Sequence, residues 1–285
     1  MAVVVKKIPV NGGRFLALLI LAGDDQHRLN PDTIAEINNA LDEVETDKSM
    51  SALVTTNEGK FYSNGLDFDF LRANPDKHTH LIVVFQKLLQ RILCFPIPTI
   101  AAVCSLFQHN RKCTRTLKAT RACVPTLQRN RLDAQPQQMP LLGDSSGHAA
   151  AGGCMIALAH DFRYMRSDRG FIMLNEVEIK LPFTPGMNAI IKSKLPVHTY
   201  HEAVLTAHRY VGKTAAVAGV VHMACSDIDS TRDAAMNKAS ELASKNYDRG
   251  VYKALKDEMF KVEVQELLHG KLDGVAESLA RASKL

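Results

Sequence analysis

The sequence predicts an α/β fold with a parallel sheet, followed by a helical C-terminal region. Over roughly the first hundred residues, short apolar runs that suit buried strands alternate with segments of helical periodicity. This order is typical of parallel β/α units, because a crossover helix returns the chain to the start of the next strand. The composition, with 46% hydrophobic and 23% charged residues in a chain of 285, is that of a globular protein with a large core.

Individual elements follow from local signals. Asn30 and Pro31 predict a helix start, because asparagine caps the first turn and proline suits the first helical position. Pro96 ends a long amphipathic helix predicted over 79–95. We predict buried strands at 15–21, 52–56, 99–103 and 171–174, a turn-rich loop at 60–67, and later helices at 185–195, 201–211, 214–218, 230–245 and 251–269.

The segment 105–146 interrupts this pattern. It carries seven basic residues and two acidic ones, and this difference of +5 equals the net charge of the whole chain. Its basic residues follow neither a helical nor an alternating period, and it contains the run Gln-Pro-Gln-Gln-Met-Pro. We therefore predict a poorly ordered basic loop.

Residues 147–159 combine a turn of small residues with an apolar helix. The turn ends in Gly152 and Gly153, and without bulky side chains another molecule can lie against its backbone. The N–H groups at a helix start lack intrahelical partners and favour negative charge. Glu176 follows the apolar run at 171–174, so a partly buried carboxylate is expected nearby. These groups suit proton transfer next to a carbonyl, although close helix packing and a capping carboxylate would explain the same residues.

Three segments resemble the crotonase (enoyl-CoA hydratase/isomerase) superfamily. They read Gly-Lys-Phe-Tyr-Ser-Asn-Gly-Leu-Asp at 59–67, Pro-Thr-Ile-Ala-Ala-Val at 98–103 leading to Gly-His-Ala-Ala-Ala-Gly-Gly at 147–153, and Asn-Glu-Val-Glu-Ile-Lys-Leu-Pro at 175–182. The chain looks most like the plant-type peroxisomal Δ3,Δ2-enoyl-CoA isomerases. The resemblance implies a crotonase-like ββα spiral core over 1–200, interrupted by 105–146, and a C-terminal helical region over 201–285.

The resemblance also implies the roles of individual residues. By motif position, the backbone N–H groups of Leu66 and Gly152 form an oxyanion hole for the thioester oxygen, and Glu176 is the catalytic carboxylate. Substrate contacts are expected at Ser63, Asn64, Gly65, Gly153 and Met155. Lys180 occupies a position at which relatives usually have glycine, so its side chain could crowd the acyl pocket.

The number of carboxylates favours isomerisation over hydration. Hydratases of the superfamily carry two, and Met155 occupies the position of the first. The implied mechanism is that Glu176 removes a proton from the α carbon of a 3-enoyl-CoA and returns it at the γ carbon, in fatty acid β-oxidation. Glu178 is a weaker candidate, expected on the opposite face of a continuing strand. We expect apolar neighbours to raise the pKa of Glu176, namely Ile172, Leu174 and Ile179.

This chemistry needs no metal or redox cofactor, and coenzyme A enters as part of the acyl-CoA substrate. Six cysteines without a CxxC pair are typical of reduced thiols in an intracellular protein. The tripeptide Ser283-Lys284-Leu285 matches a peroxisomal targeting signal, which predicts peroxisomal localisation and an import receptor as partner. No apolar run is long enough to span a membrane. The resemblance further implies a homo-oligomer, either a trimer or a hexamer.

Other functions remain open. The chain could be an enoyl-CoA hydratase or another crotonase-type acyl-CoA enzyme. In the superfamily the strand ending at Cys104 would run directly into Gly147, so 105–146 could be translated intron sequence that leaves an inactive product. The basic segment could instead bind nucleic acid, although Phe107 is its only aromatic residue. Ser145 lies in a Gly-x-Ser-x-Gly match, but no predicted strand precedes it as a serine hydrolase requires.

Overall fold

The computed structural model describes residues 1–10, 12–105 and 147–284. The predicted basic loop therefore lies, apart from Ser105, outside the described residues, as do Ser145 and Leu285. Within these residues the fold is the predicted α/β class, with two sheets and helices packed around them.

The larger sheet has six strands in the order β1-β2-β3-β5-β7-β9. Strand β1 pairs antiparallel with β2, and every later pair is parallel, as the strand–helix alternation predicts. The strands are β1 Ala2–Val10, β2 Arg14–Ala22, β3 Met50–Asn57, β5 Thr99–Ser105, β7 Phe162–Arg166 and β9 Met223–Cys225.

The smaller sheet has three very short parallel strands in the order β4-β6-β8. They are β4 Phe61–Ser63, β6 His148–Ala150 and β8 Ile172–Met173. The sequence predicts only a loop and a turn for the first two, because runs of three residues carry no readable periodicity. The predicted strand at 171–174 shrinks to two residues.

Eleven helices are seen in the described residues. They are α1 Pro31–Thr46, α2 Phe68–Ala73, α3 His78–Leu93, α4 Gly152–Ala159, α5 Pro185–Lys194, α6 Val197–Thr206, α7 Gly212–Val217, α8 Ile228–Ser244, α9 Arg249–Met259, α10 Lys261–His269 and α11 Val275–Ala282. Asn30 caps α1 as predicted, accepting a hydrogen bond from the Thr33 N–H (3.0 Å). The helix predicted over 251–269 is two helices that meet at Phe260, and α6 ends before the predicted boundary.

The central strands β2, β3 and β5 of the larger sheet are buried on both faces, which explains why they read as continuous apolar runs. Neighbouring residues along a strand face opposite sides, so Leu53 joins the main core and Val54 joins a second core under α8. Leu267 of α10 and Leu279 of α11 pack into the main core. The division of the chain at residue 200 stays a prediction. None of the helices in the described ranges is long and apolar enough to cross a membrane.

Cys104 and Gly147, which flank the segment 105–146, lie next to each other. A Cβ atom built on Gly147 would lie 2.8 Å from the Cα of Cys104, so the two Cα atoms are about 4 Å apart or closer, and one peptide link spans 3.8 Å. Strand β5 and strand β6 are thus placed as they would be if Cys104 preceded Gly147 directly. The hypothesis of translated intron sequence is compatible with this placement, and comparison of transcripts tests it.

We expect a chain that lacks 105–146, with Cys104 joined to Gly147, to fold to the same structure. Its free energy of unfolding should be up to about 3 kcal/mol higher, because closing a loop of that length costs on this order. Chemical denaturation followed by circular dichroism measures the difference. A shortened chain that is less stable than the full chain would contradict this placement of the two ends.

Candidate active site

The carboxyl ends of the three short parallel strands lie at one edge of the smaller sheet. Strand β4 leads to Leu66, β6 leads to Gly152, and β8 leads to Glu176. The ladder continues past β6, because the Ala151 N–H donates to the Met173 carbonyl oxygen at 3.0 Å. In α/β proteins ligands bind at the carboxyl ends of parallel strands, so this edge is where a site is expected.

The loop after β4 is held so that one of its N–H groups stays available. The Leu29 N–H donates to the Gly65 carbonyl (2.8 Å), and the Asp67 N–H donates back to the Leu29 carbonyl (2.9 Å). The Leu66 N–H between them has no hydrogen-bond acceptor among the described residues. Gly65 has φ +79°, and a Cβ on it would lie 3.0 Å from the Gly152 nitrogen, so this turn requires glycine.

Helix α4 begins without the usual side-chain cap. Ala151 precedes the helix with φ 49° and ψ −121°, an unusual conformation for a residue other than glycine, and it forms no side-chain cap. Within the described part of the chain, the Gly152 N–H has no acceptor. The positive end of the helix dipole and this free N–H therefore favour a negatively charged oxygen here.

Glycine at 153 serves close packing. A Cβ on Gly153 would overlap the carbonyl oxygen of Ser63, so α4 can approach β4 only without a side chain at this position. The Ser63 hydroxyl donates to the His27 carbonyl (2.8 Å) and accepts from the Gly65 N–H (3.2 Å). These contacts bring the two predicted N–H groups of the oxyanion hole side by side.

Glu176 is a buried carboxyl in an apolar environment. It is 4% exposed, and its Oε2 has no hydrogen-bond partner among the described residues. Burial raises its pKa from 4.5 to about 8, because water no longer stabilises the charged form. A group that titrates near neutral pH is suited to both taking and giving a proton.

The weaker candidate, Glu178, lies elsewhere. The expected continuing strand is absent, because the chain turns after Asn175, whose carbonyl accepts from the Glu178 N–H at 3.0 Å. The Glu178 side chain is exposed and does not line the pocket around Glu176. Its expected position on an opposite strand face is therefore wrong.

Leu66, Gly152 and Glu176 line one apolar pocket, where the space between protein atoms, counted together with the adjoining solvent, is about 350 Å³. Met155 and Ile179 line it as well, so Met155, at the motif position for which the resemblance implies a carboxylate in hydratases, lies at the pocket wall. Glu176 is the one carboxylate that lines this pocket in the described residues. The sequence did not identify six further lining residues: Phe68, Phe85, Leu181, Pro182, Phe183 and Met187.

The other predicted substrate contacts are not at the pocket wall. The Asn64 side-chain amide donates to Gln26 (2.6 Å), whereas Ser63, Gly65 and Gly153 support the two turns. Their direct contact with substrate stays a prediction. Sequence reasoning could not separate pocket residues from support residues, because both carry the small side chains that the motif shares.

Lys180 has a backbone conformation that suits glycine. Its φ is +59°, a left-handed conformation that glycine adopts without strain. Its side chain is exposed and does not line the pocket, so the expected crowding of the acyl site is wrong. The consequence of this lysine is backbone strain in the turn that carries Glu176.

The predicted targeting tripeptide begins inside the folded structure. Ser283 is 4% exposed, and its carbonyl accepts a hydrogen bond from Arg72 at 3.1 Å. Lys284 is exposed, and Leu285 lies outside the described residues.

Comparisons with known proteins agree with this architecture. A family model described as enoyl-CoA hydratase/isomerase matches residues 24–105 and 110–272. Two Arabidopsis thaliana proteins named enoyl-CoA delta isomerase 1, peroxisomal, and enoyl-CoA delta isomerase 3 are 27% and 29% identical to the chain; each alignment covers 86% of this chain, and 86% and 88% of the respective relatives.

Solved structures share the fold. An enoyl-CoA isomerase from Mycobacterium tuberculosis superposes with a TM-score of 0.70 at 21% identity, over 96% of this chain and 97% of its own. The human mitochondrial delta3-delta2-enoyl-CoA isomerase superposes with a TM-score of 0.70 at 15% identity, over 98% of this chain and 90% of its own.

We expect Glu176→Gln to change how stability depends on pH. Because the folded-state pKa of about 8 lies above the usual 4.5, the folded protein keeps a proton that the unfolded chain releases between these values. Wild-type stability should therefore fall as pH rises through this window, by roughly 1 kcal/mol for each pH unit, and level off above it.

The glutamine variant lacks this titration, so its advantage over wild type should grow from pH 5 to pH 8. Denaturant unfolding at pH 5, 6.5 and 8 measures it, and Glu178→Gln, at an exposed carboxylate two residues away, is the matched control. A stability difference that is the same at all three pH values would refute the buried, unpaired state of Glu176.

Proposed function

Because this chain belongs to the enoyl-CoA hydratase/isomerase family, we propose that it is a Δ3,Δ2-enoyl-CoA isomerase that moves the double bond of a 3-enoyl-CoA to position 2. The observation that carries the proposal is that Glu176 is the one carboxylate on the pocket wall of the described residues. One carboxylate can move a proton between two carbons of the same substrate. Hydration needs, in addition, a group that directs a water molecule.

In the proposed reaction the 3-enoyl thioester enters the apolar pocket with its carbonyl oxygen towards the N–H groups of Leu66 and Gly152. Ionised Glu176 removes a proton from the α carbon, and the electrons move onto the thioester oxygen as a dienolate. The same carboxyl group then protonates the γ carbon, which leaves the double bond between the α and β carbons. The glutamate ends in its starting state, so no second acid or base is required.

The two N–H groups supply the charge stabilisation. Negative charge develops on the thioester oxygen only after proton removal, so donors aimed at this oxygen stabilise the transition state more than the substrate. Loss of one such donor typically costs about 3 kcal/mol. Neither N–H has another acceptor within the described ranges, so binding an oxyanion breaks no protein hydrogen bond.

The apolar wall of the pocket also favours removal of a proton from carbon by Glu176. Its wall is apolar, and the raised pKa of Glu176 means that the ionised base is poorly solvated. A poorly solvated carboxylate is a stronger base than one in water, which brings its pKa closer to that of the carbon acid. The acyl chain can lie against Phe85, Phe183 and Met187.

The second candidate function is hydration of a 2-enoyl-CoA, because the family includes both hydratases and isomerases. Met155 argues against it, because a thioether can neither activate nor orient water. An assay on 3-hexenoyl-CoA and on 2-hexenoyl-CoA with the same protein separates the two reactions. Formation of a 3-hydroxyacyl product at a rate above that of isomerisation would favour the hydratase.

We expect Glu176→Gln to lower kcat/KM for 3-hexenoyl-CoA by about 10³-fold, within the range for loss of a general acid–base group, while Glu178→Gln stays near wild type. The chain lacking 105–146 should be at least as active as the full chain, because strand β5 then leads directly into β6 and the turn at Gly152. For the wild type, kcat/KM should rise with pH and level off above about pH 8, where the base is ionised. Equal activity of Glu176→Gln and wild type would contradict the proposal.

We also propose that the protein acts in peroxisomes, in fatty acid β-oxidation, and is imported through Ser283-Lys284-Leu285. The contact between Arg72 and Ser283 has to open before the backbone of Ser283 is accessible to a receptor. Fluorescent fusions at the N-terminus should collect in peroxisomes with the full chain and stay diffuse without residues 283–285.

Self-association into a trimer or hexamer is a further proposal, which a mass measurement in solution tests.

A further inference from the structure

A second cavity, of about 320 Å³, lies at the other end of α4 from Gly152. It is lined by ionisable and apolar side chains and is open to solvent on the side of α9, where Leu255 and Met259 are exposed. Helix α4 has eight residues, so about 12 Å of helix separates this cavity from the candidate oxyanion hole. The reaction proposed above uses none of its residues.

One carboxylate, Asp161, lines this cavity, and it is already fully engaged. Lys256 donates to both of its oxygens, at 2.9 and 3.0 Å. The Tyr252 hydroxyl (3.1 Å) and the Thr99 N–H (2.9 Å) donate to its Oδ2 as well. Lys256 is itself only 4% exposed, so this ion pair is a built part of the interior.

A second lysine in the cavity, Lys194 at the end of α5, has no such partner. Its Nζ makes one long hydrogen bond, to the His160 carbonyl at 3.4 Å, and lies 4.2 Å from the centre of the Phe260 ring. In the described part of the chain, Lys194 forms no ion pair with a carboxylate. The Lys194 amine therefore faces a cavity that is wide enough for a small reactant.

The surroundings of Lys194 disfavour its charged form. Burial lowers its pKa to about 7, and nearby cations act in the same direction, against the opposing effect of Asp161. The ring of Phe260 favours the charged form through a cation–π contact, but this contact is weaker than full hydration of the ammonium group. The charged and titratable groups that face Lys194 come from several elements: Asp161, Arg163, Lys256, His222 and Cys94.

We propose that Lys194 is a site of covalent acylation by acyl thioesters, the class of compound to which the substrates of this family belong. The amine attacks the thioester carbonyl carbon, a C–N bond forms and the C–S bond breaks. The leaving thiolate takes the proton that the nitrogen loses, so the products are an amide and a free thiol, with no oxidant or cofactor. Desolvated lysines are activated as nucleophiles in this way.

The cavity suits the product as well as the attack. The amide is uncharged, which removes the repulsion of the Lys194 cation by Lys256 and Arg163. An acyl group on Nζ can lie against Phe162, Leu255 and Met259, the apolar part of the lining. The proposal concerns this cavity alone, so it stands or falls independently of the isomerase reaction.

Lys192 provides the matched control, because it is on the same helix, two residues away, and is exposed. The purified full chain is incubated with acetyl-CoA at pH 7.5, and acetylation at each lysine is followed by peptide mass spectrometry. We expect Lys194 to be modified at least about tenfold faster than Lys192. The rate at Lys194 should level off above about pH 7, where its amine is already neutral.

The variants Lys194→Arg and Lys192→Arg keep the positive charge and are compared under the same conditions. In Lys194→Arg, total acetylation should lack the fast component that comes from Lys194. In Lys192→Arg, this fast component should remain. Modification of Lys192 at the same rate as Lys194, or faster, would overturn the proposal. So would a rate at Lys194 that still rises steeply between pH 8 and pH 9.5. Circular dichroism of both variants shows whether they are folded.

Discussion

The pairing of three backbone segments, each with only two or three residues of β structure, holds the candidate site together. Because β4, β6 and β8 run parallel, their carboxyl ends lie at one edge, and each is followed within a few residues by one group of the site. The pairing works only if α4 can pack against β4, and the lack of a side chain at Gly153 allows that approach. A small change in this contact would move both N–H groups relative to the carboxyl group.

The same constraint explains the energetics of the site. Bringing the strand ends together under α3 and α5 removes Glu176 from water and gives its Oε2 no partner. Burying a carboxyl group without a hydrogen bond is unfavourable for the ionised form, and the protein accommodates it through a raised pKa. The positive φ of Lys180 and of Ala151 adds strain at the same place. Stability is thus lower where the proposed chemistry needs a reactive group, a common arrangement in enzymes.

Helix α4 links two environments of opposite character. Its first residue, Gly152, presents one free N–H to an apolar pocket lined by Glu176. Beyond its last residue lies a cavity lined by two lysines and by Asp161, which is fully hydrogen-bonded. In both places a titratable side chain lacks a counter-ion, and its pKa moves towards neutrality; Glu176 is buried and Lys194 is half-buried. The physical cause is shared, because partial or full removal from water disfavours the charged form of each group.

The sequence by itself determined the α/β class, the strands β2, β3 and β5 and the capped start of α1, because long apolar runs and capping residues depend on local chemistry. The roles of Leu66, Gly152 and Glu176 follow from the resemblance of three motifs to the superfamily and stay predictions. It missed β1, β7 and β9 of the larger sheet, and β4 and β6 of the smaller sheet, which are too short for a period to be visible. It also gave the wrong surroundings for Glu178 and Lys180, since a turn, and no strand, follows β8. Only the tertiary structure decided which aromatic and aliphatic side chains line the pocket and which lysine lacks a partner, because these depend on contacts between residues far apart in the chain.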